Sequence, residues 1–543
     1  SGNAMTFGGL VGWYGGTINN SYYDKTSTGQ ANAVGDGTGT VNATDITVAN
    51  RYSRNGYSNL GTWSLLAGTT NVYVAKDASN QNQWVMIEGQ TRPFLWSEYS
   101  TNINNLHQLQ LMAVDLTKNY TVHHNIDATA TNGLNTSDMW STAGFDPIGN
   151  NSNRFTGKFD GLNHTISNLT INRPNQNYVG LFGATNNSTI QNIGLIQANV
   201  RGSWRVGALI GEANSTNTSN AFSTGLVNGD VGVGGLVGNN QNQSSILSSY
   251  SNAQVTATDS LAGGLSGLNQ SDSRIENSYA TGAVQAQGSN SNAGGLSGNN
   301  FVNSVIKNSY ATGAVSGIDA VGGLLGNNNS STVENSYATG QVTRTSGSAI
   351  TFGGLVGWTG GTIKNSYWNK DTTGQGAAVG DATGTLTQVQ GLTTAQMKQG
   401  ASFVGFNIDG QGGTGTVWRI YEGNTAPLLR SFLTQATLGT VANQSTTYNG
   451  QTQGLDLSGV PLAGLDGSKI FAGQSSSKNV GTYNIGLYSN QQGYDLIGGN
   501  ASLTINPATL TITADAGQHK VYGDTDPTLG YGVSGWKLSD GNS

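Results

Sequence analysis

Histidines are the residues of this chain best suited to metal binding or proton transfer, and their spacing argues against both. His107, His123, His124, His164 and His519 match no metal-binding pattern such as H-E-x-x-H. His123 and His124 are adjacent, so in a strand they would point to opposite faces and would not share a metal. The chain has no cysteine, which removes disulfides, thiolate ligands and thiol nucleophiles. The histidines and the missing cysteines therefore predict no zinc-type metal centre, and the sequence predicts no bound cofactor apart from a possible Ca²⁺ ion.

Acidic residues of the central region could cleave a glycan only if two or three of them converged on one groove. The acids there are Asp259, Asp272, Glu276, Asp319 and Glu334. Glu276 and Glu334 share a repeat position, but Lys307 occupies that position in the repeat between them. Charge compensation is the simpler interpretation, so we predict no enzyme, with a polysaccharide-binding or polysaccharide-cleaving protein as the alternative.

Tryptophans and glycine-rich phrases are the remaining candidates for ligand contact. Trp13, Trp358 and Trp368 could stack on a sugar ring or could seal the last coil of a repeat block. The phrase G-D-G-T-G at residues 35–39 lacks the lysine and following helix of a phosphate loop, so its glycines indicate corners. Asp36 or Asp381 could hold Ca²⁺ in such a corner.

Composition excludes several classes of partner. Only 10% of the 543 residues are charged, against about 25% in ordinary soluble domains, and the net charge is −6. With no basic stripe, the chain is a poor ligand for nucleic acid. No run of about 18 apolar residues predicts a membrane span, and no signal-peptide pattern begins the chain. Both ends fall inside repeats, so we expect a segment of a longer protein.

A repeat of about 29 residues dominates the sequence. Its first half reads V-G-G-L-V-G, and its leucine recurs at intervals of 28, 27, 29, 31, 28 and 31 residues. The second half, I-x-N-S-Y-A-T-G-x-V, follows each time. Short β-type runs separated by Gly, Asn and Ser are typical of one coil of a solenoid, so we predict an all-β, right-handed parallel β-helix. The repeating leucines are Leu181, Leu209, Leu236, Leu265, Leu296, Leu324 and Leu355.

Stacked coils should place equivalent side chains in ladders. Ile275, Asn277 and Tyr279 alternate with the residues between them, so we predict that these three face inward. The predicted aromatic ladder is Phe222, Tyr250, Tyr279, Tyr310, Tyr337 and Tyr367. The predicted polar ladder, whose amides would hydrogen-bond from coil to coil, is Asn192, Asn220, Ser248, Asn277, Asn308, Asn335 and Asn365.

The position after the isoleucine gives a separate argument for stacking. It reads Glu276, Lys307, Glu334 and Lys364 in successive coils. Alternating charge is what neighbouring strands favour, whereas like charges would repel. We therefore predict a surface charge ladder that supports the register.

A longer repeat surrounds the first one. Residues 1–40 match residues 346–385 at 29 of 40 positions, and a related phrase with Trp, Glu-Gly and Pro follows each copy. A short amphipathic helix at residues 103–116 is predicted to cap the open end of the new block.

These phrases resemble known modules of bacterial surface proteins. V-G-G-L-V-G with N-S-Y-A-T-G resembles the GLUG repeat, over about residues 100–385 and again at 1–40. Residues 483–485, 494–496 and 503–512 resemble an MBG (YDG-type) immunoglobulin-like domain, and a second copy opens at residues 520–527. Both modules are similar to those of filamentous-haemagglutinin-like adhesins exported by two-partner secretion. GLUG-like modules also accompany secreted peptidases.

The resemblance completes the predicted organisation. We predict the last coils of a preceding block at 1–40, a closing segment at 41–100 and a complete capped β-helix block at 101–385. A second closing segment (386–434), an immunoglobulin-like β-sandwich (435–506) and the start of another (507–543) follow. The resemblance implies an extracellular, outer-membrane-associated adhesin acting in cell attachment, biofilm or filament formation. Its implied partners are other copies of itself or surface polysaccharide, and an outer-membrane secretion partner outside this segment.

Overall fold

The computed structural model describes residues 6–134, 139–289, 291–345, 351–439, 441–454, 462, 464–473 and 476–538. The chain divides into two compact units, Ser1–Thr393 and Thr394–Ser543. The described helices are short, and no helix among them is long and apolar enough to cross a bilayer. We describe each unit by itself.

A parallel β-solenoid forms most of the first unit, and this confirms the predicted fold class. Glycine and asparagine allow the chain to turn after every few residues, so each coil is built from strands of two to five residues in its regular part. One face is a sheet of eight parallel strands, one from each coil. These strands are Phe182–Asn186, Ile210–Asn214, Val237–Gln241, Ser266–Gln270, Ser297–Phe301, Leu325–Asn329, Val356–Thr359 and Val379–Ala382.

The other faces of the solenoid form one continuous parallel ladder. In its regular coils the isoleucine strand, the tyrosine strand and two further strands each pair with their equivalents one repeat away. Its strands are Asn102–Ile103, Tyr120–Val122, Ile126–Asp127, Lys158–Ser167, Thr170–Asn172, Thr189–Arg201, Trp204–Gly207, Asn217–Gly234, Ser245–Leu247, Tyr250–Ser251, Gln254–Gly263, Arg274–Glu276, Tyr279–Ala280, Val284–Ala286, Asn292–Gly294, Val305–Lys307, Tyr310–Ala311, Val315–Gly317, Ala320–Gly322, Thr332–Glu334, Tyr337–Ala338, Val342–Arg344, Thr351–Gly353, Thr362–Asn369 and Thr385–Leu392.

The core of the solenoid is a thin column of aliphatic side chains. All seven repeating leucines are fully buried, as are Ile275, Ile306 and Val333 from the opposite half of their coils. Burial of each such side chain contributes roughly 1.5–3 kcal/mol. Because these residues recur once per coil, the apolar column is continuous along the stack.

Residues 1–40, which we call the first copy, have the same local structure as residues 346–385 at the end of the solenoid block, as far as the described residues show. Thr17–Asp24 pairs with Thr40–Ile46, and a four-residue helix, Lys25–Thr28, follows the first of these strands. The equivalent elements later in the chain are Thr362–Asn369, Thr385–Leu392 and the helix Lys370–Thr373. The remaining strands of the first copy are Val11–Tyr14 and Val34–Gly37.

The segment 41–100, which we call the first closing segment, forms an antiparallel sheet with two apolar faces. Val74 and Val85 on one face join the core of the solenoid. Met86 on the other face packs with Ile46 and Tyr57. The segment thus lies between the first copy and the following block. Its elements are the 3₁₀ helix Arg54–Leu60, the strands Thr62–Leu65, Val72–Lys76, Asn82–Ile87 and Phe94–Leu95, and the 3₁₀ turn Trp96–Glu98.

The predicted cap helix is present but shorter than expected. An α-helix spans Leu106–Gln110 and continues as a 3₁₀ turn, Leu111–Val114. Asn105 caps its first turn by accepting a hydrogen bond from the Gln108 amide at 3.0 Å. Its apolar face, with Leu109 and Met112 fully buried, covers the end of the core. One further 3₁₀ turn, Thr129–Asn132, lies near this end of the solenoid.

The second unit contains small sheets around its own apolar core, which includes Leu438, Leu496 and Leu503. The immunoglobulin-like sandwich stays a prediction. The short helices are Gln396–Lys398, Gly400–Ser402, Arg430–Phe432 and Gly467–Lys469. The strands are Ile408–Asp409, Trp418–Arg419, Leu428–Leu429, Thr434–Thr437, Gln444–Thr447, Gln453–Gly454, Phe471–Ala472, Ser476–Ser477, Gly481–Tyr488, Tyr494–Ile497, Asn500–Asn506, Thr511–Ala514 and Tyr531–Ser534.

Candidate functional surface

The aromatic side chains at the ladder position lie face to face. Ring centroids of Phe222, Tyr250, Tyr279, Tyr310 and Tyr337 are 4.9 Å apart at each step, with interplanar angles of 0–3°. Tyr367 is the register partner of Tyr337 in the next coil. The spacing equals the distance between stacked strands, so the coil repeat itself sets the stack.

The predicted inward direction of Asn277 is wrong. Asn277 is half-buried and has a φ of +49°, which places it in the left-handed region at a corner of the coil. The corner interrupts the alternation of inward and outward side chains, so the alternation before the corner does not predict the direction of the side chains after it. Ala280, the neighbour of Tyr279, belongs to the solenoid core, and adjacent strand residues point to opposite sides. The tyrosine side chain therefore leaves the strand on the side opposite Ala280, where Tyr279 is still buried, at 2% exposed, with a ring stacked on each face.

The polar ladder has a conformational role at this corner. Its seven members all have φ between +44° and +55°. Asparagine tolerates this conformation better than most other residues with a side chain. The amide of Asn220 donates to Asn192 at 3.1 Å, and that of Asn365 donates to Asn335 at 3.2 Å. The members are Asn192, Asn220, Ser248, Asn277, Asn308, Asn335 and Asn365.

The charge ladder occupies one register position in successive coils. Glu276 is paired in register with Lys307, Lys307 with Glu334, and Glu334 with Lys364. Among the described residues, the ion pairs here join Glu334 to Lys307 at 3.9 Å and to Lys364 at 3.8 Å. These side chains are partly exposed, so each pair contributes at most about 1 kcal/mol.

The three candidate tryptophans have different environments. Trp13 is 64% exposed, which leaves its indole available to a planar ligand. Trp358 is half-buried and lies in register between Asn327 and Asp381. Trp368 is buried, and its Nε1 donates to the Gln375 carbonyl at 2.9 Å. A sugar contact at Trp368 is therefore wrong, because its ring packs against the backbone of the coil end.

An interior asparagine ladder was missed by the sequence reasoning. Asn240, Asn269, Asn300 and Asn328 are fully buried, and the Nδ2 of each donates to the next coil at 2.7–3.0 Å, the last bond reaching Thr359. The register partner of Asn240 on the other side is Ala213, so the ladder ends there. The signal for it was an asparagine four residues after the repeating leucine in four successive coils.

Serine hydroxyls add further bonds between coils. The backbone amide of Ser278 donates to the Oγ of Ser309 at 3.3 Å, and the amide of Ser309 donates to Ser336 at 3.2 Å. Each hydroxyl in turn donates to the carbonyl two residues earlier, as Ser309 does to Lys307 at 2.7 Å. The serine hydroxyls thus accept hydrogen bonds from backbone amides that would otherwise be left unpaired at the corner.

Buried ion pairs were also missed, since their partners are distant in sequence. The Glu212 side chain is fully buried and pairs with Arg154 at 2.6 Å and with Arg205. In the first copy, Asp24 pairs with Arg51 at 3.0 Å and with Arg92 at 2.6 Å. Such buried pairs are costly to break because they leave one charge uncompensated.

The candidate chemical residues are held in separate local contacts. His107 Nδ1 lies 2.6 Å from Glu98, and His164 Nδ1 lies 3.2 Å from Asn125. Asp36 and Asp381 are exposed, and each accepts a hydrogen bond from the following amide at 2.8 Å. Among the described residues, no three His, Cys, Asp or Glu side chains are grouped as metal ligands would be. Calcium binding stays a prediction.

Comparison with known proteins supports the repeat assignment. The model of the GLUG motif family matches residues 258–285 and 319–343. Halomucin of Haloquadratum walsbyi is 40% identical over 122 residues, which is 22% of this chain and 1% of that protein. An immunoglobulin A1 protease of Streptococcus sanguinis is 34% identical over 114 residues, 20% of this chain and 6% of that protein. The chain thus spans a small part of these relatives.

A solved structure from Bacteroides ovatus, provisionally assigned as an immunoglobulin A1 protease, is 23% identical. It covers 52% of this chain and 83% of its own, with a TM-score of 0.38. The family match thus places GLUG motifs in the parallel β-solenoid of this chain, at residues 258–285 and 319–343.

Proposed function

We propose that this chain is a stiff, non-catalytic stalk of an extracellular surface protein, which displays adhesive contacts at a distance from the cell. The observation that carries the proposal is the unbroken in-register pairing of equivalent residues from coil to coil, as in the pairing of Tyr279 with Tyr310 and of Tyr310 with Tyr337. A stack of this kind is quasi-one-dimensional, so its length grows with the number of repeats.

Bonds along the stacking axis support a mechanical role. Backbone hydrogen bonds join each coil to its neighbours on every face, and the interior asparagine and corner serine ladders add side-chain bonds in the same direction. Separating two coils would break these bonds together. A stalk under tension requires such resistance.

The polar, weakly charged surface supports adhesive contact. Only 10% of the residues are charged, so charge repulsion between neighbouring molecules is small. We propose other copies of the chain or a surface polysaccharide as the contacted partner, with biofilm or filament formation as the outcome. Attachment to an outer membrane, through a secretion partner outside this segment, is part of the same proposal.

A polysaccharide-binding protein is the second candidate, favoured by the exposed indole of Trp13. Cleavage is less well supported, because Glu334 is paired with two lysines and Glu212 with two arginines. Carboxylates held in this way are poorly placed to exchange protons with a substrate.

Single-molecule pulling on the full chain tests the stalk. We expect a high unfolding force and a length increase that matches the solenoid, together with no turnover of soluble glycans. Turnover of any glycan would overturn the non-catalytic assignment. Extension at low force without a defined event would overturn the mechanical one. Glycan binding that is lost in Trp13→Ala and kept in Trp368→Phe would favour the second candidate.

A further inference from the structure

The chain contains two copies of one closing segment, and their structures establish which residues are equivalent. Gly89 donates to the carbonyl of Tyr52 at 2.7 Å, and Gly423 donates to that of Lys398 at 2.8 Å. In each closing segment the glycine follows a glutamate whose carboxylate accepts a backbone amide, at Arg54 in the first and Gly400 in the second.

The agreement extends to the threonine after each glycine and to the strand pair on either side of it. The Ile87 amide donates to Thr91 Oγ1 at 3.1 Å, and the Tyr421 amide donates to Thr425 Oγ1 at 3.2 Å. Trp84 pairs with Leu95, as Trp418 does with Leu429. The second closing segment therefore shares these contacts with the first, although the strand before Trp418 pairs in parallel and the one before Trp84 antiparallel.

Three charged residues attach the first closing segment to the coil before it. Asp24 ends the strand Thr17–Asp24 of that coil, while Arg51 and Arg92 come from the closing segment. The side chains are 5%, 3% and 16% exposed in that order. All three side chains are thus substantially removed from water. A buried charge of this kind is stable only beside its partner.

The second block end and its closing segment carry uncharged residues at all three positions. The position of Asp24 is occupied by Asn369, since each pairs in register with the last residue of the following strand, Ile46 or Leu392. Met397 follows Leu392 by five residues, as Arg51 follows Ile46. Ala426 directly precedes Pro427, as Arg92 directly precedes Pro93. Met397 and Arg51 are each 2% exposed.

Helix capping does not explain the aspartate. Asp24 Oδ1 accepts the amides of Thr26 and Ser27, at 3.1 and 3.0 Å. Asn369 Oδ1 caps its own four-residue helix in the same way, accepting from Asp371 at 3.0 Å. An amide oxygen is therefore sufficient for the cap. The negative charge of Asp24 is needed only because two arginines face it.

We propose that Asp24, Arg51 and Arg92 form a pairing code between a repeat block and its closing segment. The closing segment 41–100 recognises a block end that carries a carboxylate at the position of Asp24. It discriminates against a block end with asparagine there, the residue found at Asn369. A wrong pairing would bury two arginines without a counter-charge.

Such a code has a purpose in a chain built from near-identical blocks. Residues 1–40 and 346–385 share 29 of 40 positions, so either block end offers much the same apolar surface during folding. Misassembly between similar modules is a characteristic failure of repeat proteins. A buried charge pair prevents it by destabilising the incorrect partner, which apolar contacts between such similar ends do poorly.

Hydrogen exchange on the full chain tests the code. We expect Asp24→Asn to accelerate amide exchange in residues 47–60 by at least about tenfold, because it leaves Arg51 and Arg92 buried without a charge partner. Adding Arg51→Met and Arg92→Ala, the residues of the second closing segment, should restore exchange to within about threefold of the original chain. Asp36→Asn removes the same charge from an exposed site of the same coil and should change nothing.

Two results would overturn the proposal. Exchange in Asp24→Asn that equals that of the original chain would show that the charge is unnecessary. Exchange in the triple variant as fast as in Asp24→Asn would show that Asp24 acts without reference to the arginines. Exchange in residues 189–289, measured in the same samples, reports whether the solenoid itself remains folded in every variant.

Discussion

Tyr279 and Tyr310 are 31 residues apart in the chain, yet their ring centroids lie 4.9 Å apart with an interplanar angle of 3°. Both residues begin equivalent two-residue strands, which pair in parallel and in register. Stacking of the side chains is thus a direct consequence of stacking of the coils. The relationship makes the aromatic ladder a sensitive reporter of solenoid integrity.

Removing one ring from the ladder should destabilise the solenoid. We expect Tyr310→Ala to lower the free energy of unfolding by about 3–5 kcal/mol, since Tyr310 is 4% exposed and contacts a ring on each side. Tyr310→Phe keeps both ring contacts and should lose much less. Urea denaturation followed by circular dichroism measures both. Equal losses in the two variants would show that ring stacking is not the stabilising contact.

The corner conformation at Asn277 predicts an unusual order of substitutions. With φ at +49°, Asn277→Ala should cost roughly 1 kcal/mol, whereas Asn277→Gly should be close to neutral, because glycine adopts this region freely. Glycine normally destabilises a strand, so the order would be reversed at an ordinary strand position. Thermal denaturation of the two variants gives the comparison. A more stable alanine variant would contradict the corner assignment.

The interior ladder predicts a cost for the loss of a single amide. Asn300→Ala removes the acceptor for Asn269 and the donor to Asn328, and we expect a loss of about 1–3 kcal/mol for each buried group left unpaired. Gln285→Ala, on the exposed side of the same coil, should change stability by less than about 0.5 kcal/mol. Denaturant midpoints measure both variants. An Asn300→Ala midpoint that matches the Gln285→Ala midpoint would refute the ladder's contribution.

Acid should loosen the attachment of the first closing segment. Burial raises the pKa of Asp24, but hydrogen bonds from Ser27 and Arg92 outweigh this effect and hold the pKa below its ordinary value. A carboxyl with a lowered pKa binds its proton more weakly in the folded state. Its stabilising contribution is therefore complete above the ordinary aspartate pKa of about 3.9 and is lost as pH falls through the lower folded value.

Hydrogen exchange in residues 47–60, corrected for the intrinsic effect of pH, measures this loss. We expect protection to be constant from about pH 7 to about pH 5 and to decrease below about pH 4 in the original chain. In Asp24→Asn the decrease should be absent, because the titrating group is gone. Protection that falls equally in both proteins would assign the acid sensitivity to another group.

Much of the solenoid could be predicted because its cause is local and repeated. Regular recurrence of Leu265, Leu296 and Leu324 requires that equivalent faces be buried together, and only stacked coils do this for units of this length. The in-register tyrosines follow from the same repeat. The side of each strand on which a side chain lies was harder to predict. A period of two predicted Asn277 inside, but its left-handed backbone places Asn277 at a corner, and a pattern of residue types does not show where a corner falls.

The buried polar contacts could not be predicted from residue spacing. Arg154 and Glu212 are 58 residues apart, and Asp24 and Arg92 are 68 apart, so no periodic pattern connects them. The burial of both faces of the first closing segment was not predicted either. Its sheet carries Val85 on the face toward the solenoid core and Met86 on the face toward the first copy, and only the tertiary structure reveals that both faces are covered.

The repeat in the sequence is enough to predict that equivalent strands stack into a parallel β-solenoid, because a short unit with one buried leucine allows few other ways to exclude water from every unit. Only the packing of the folded chain sets which side of each strand faces the core, which amides form the interior ladder and which charges are buried in pairs. These features depend on backbone direction at the corners and on contacts between distant segments, and both arise only when the coils and the closing segment pack together.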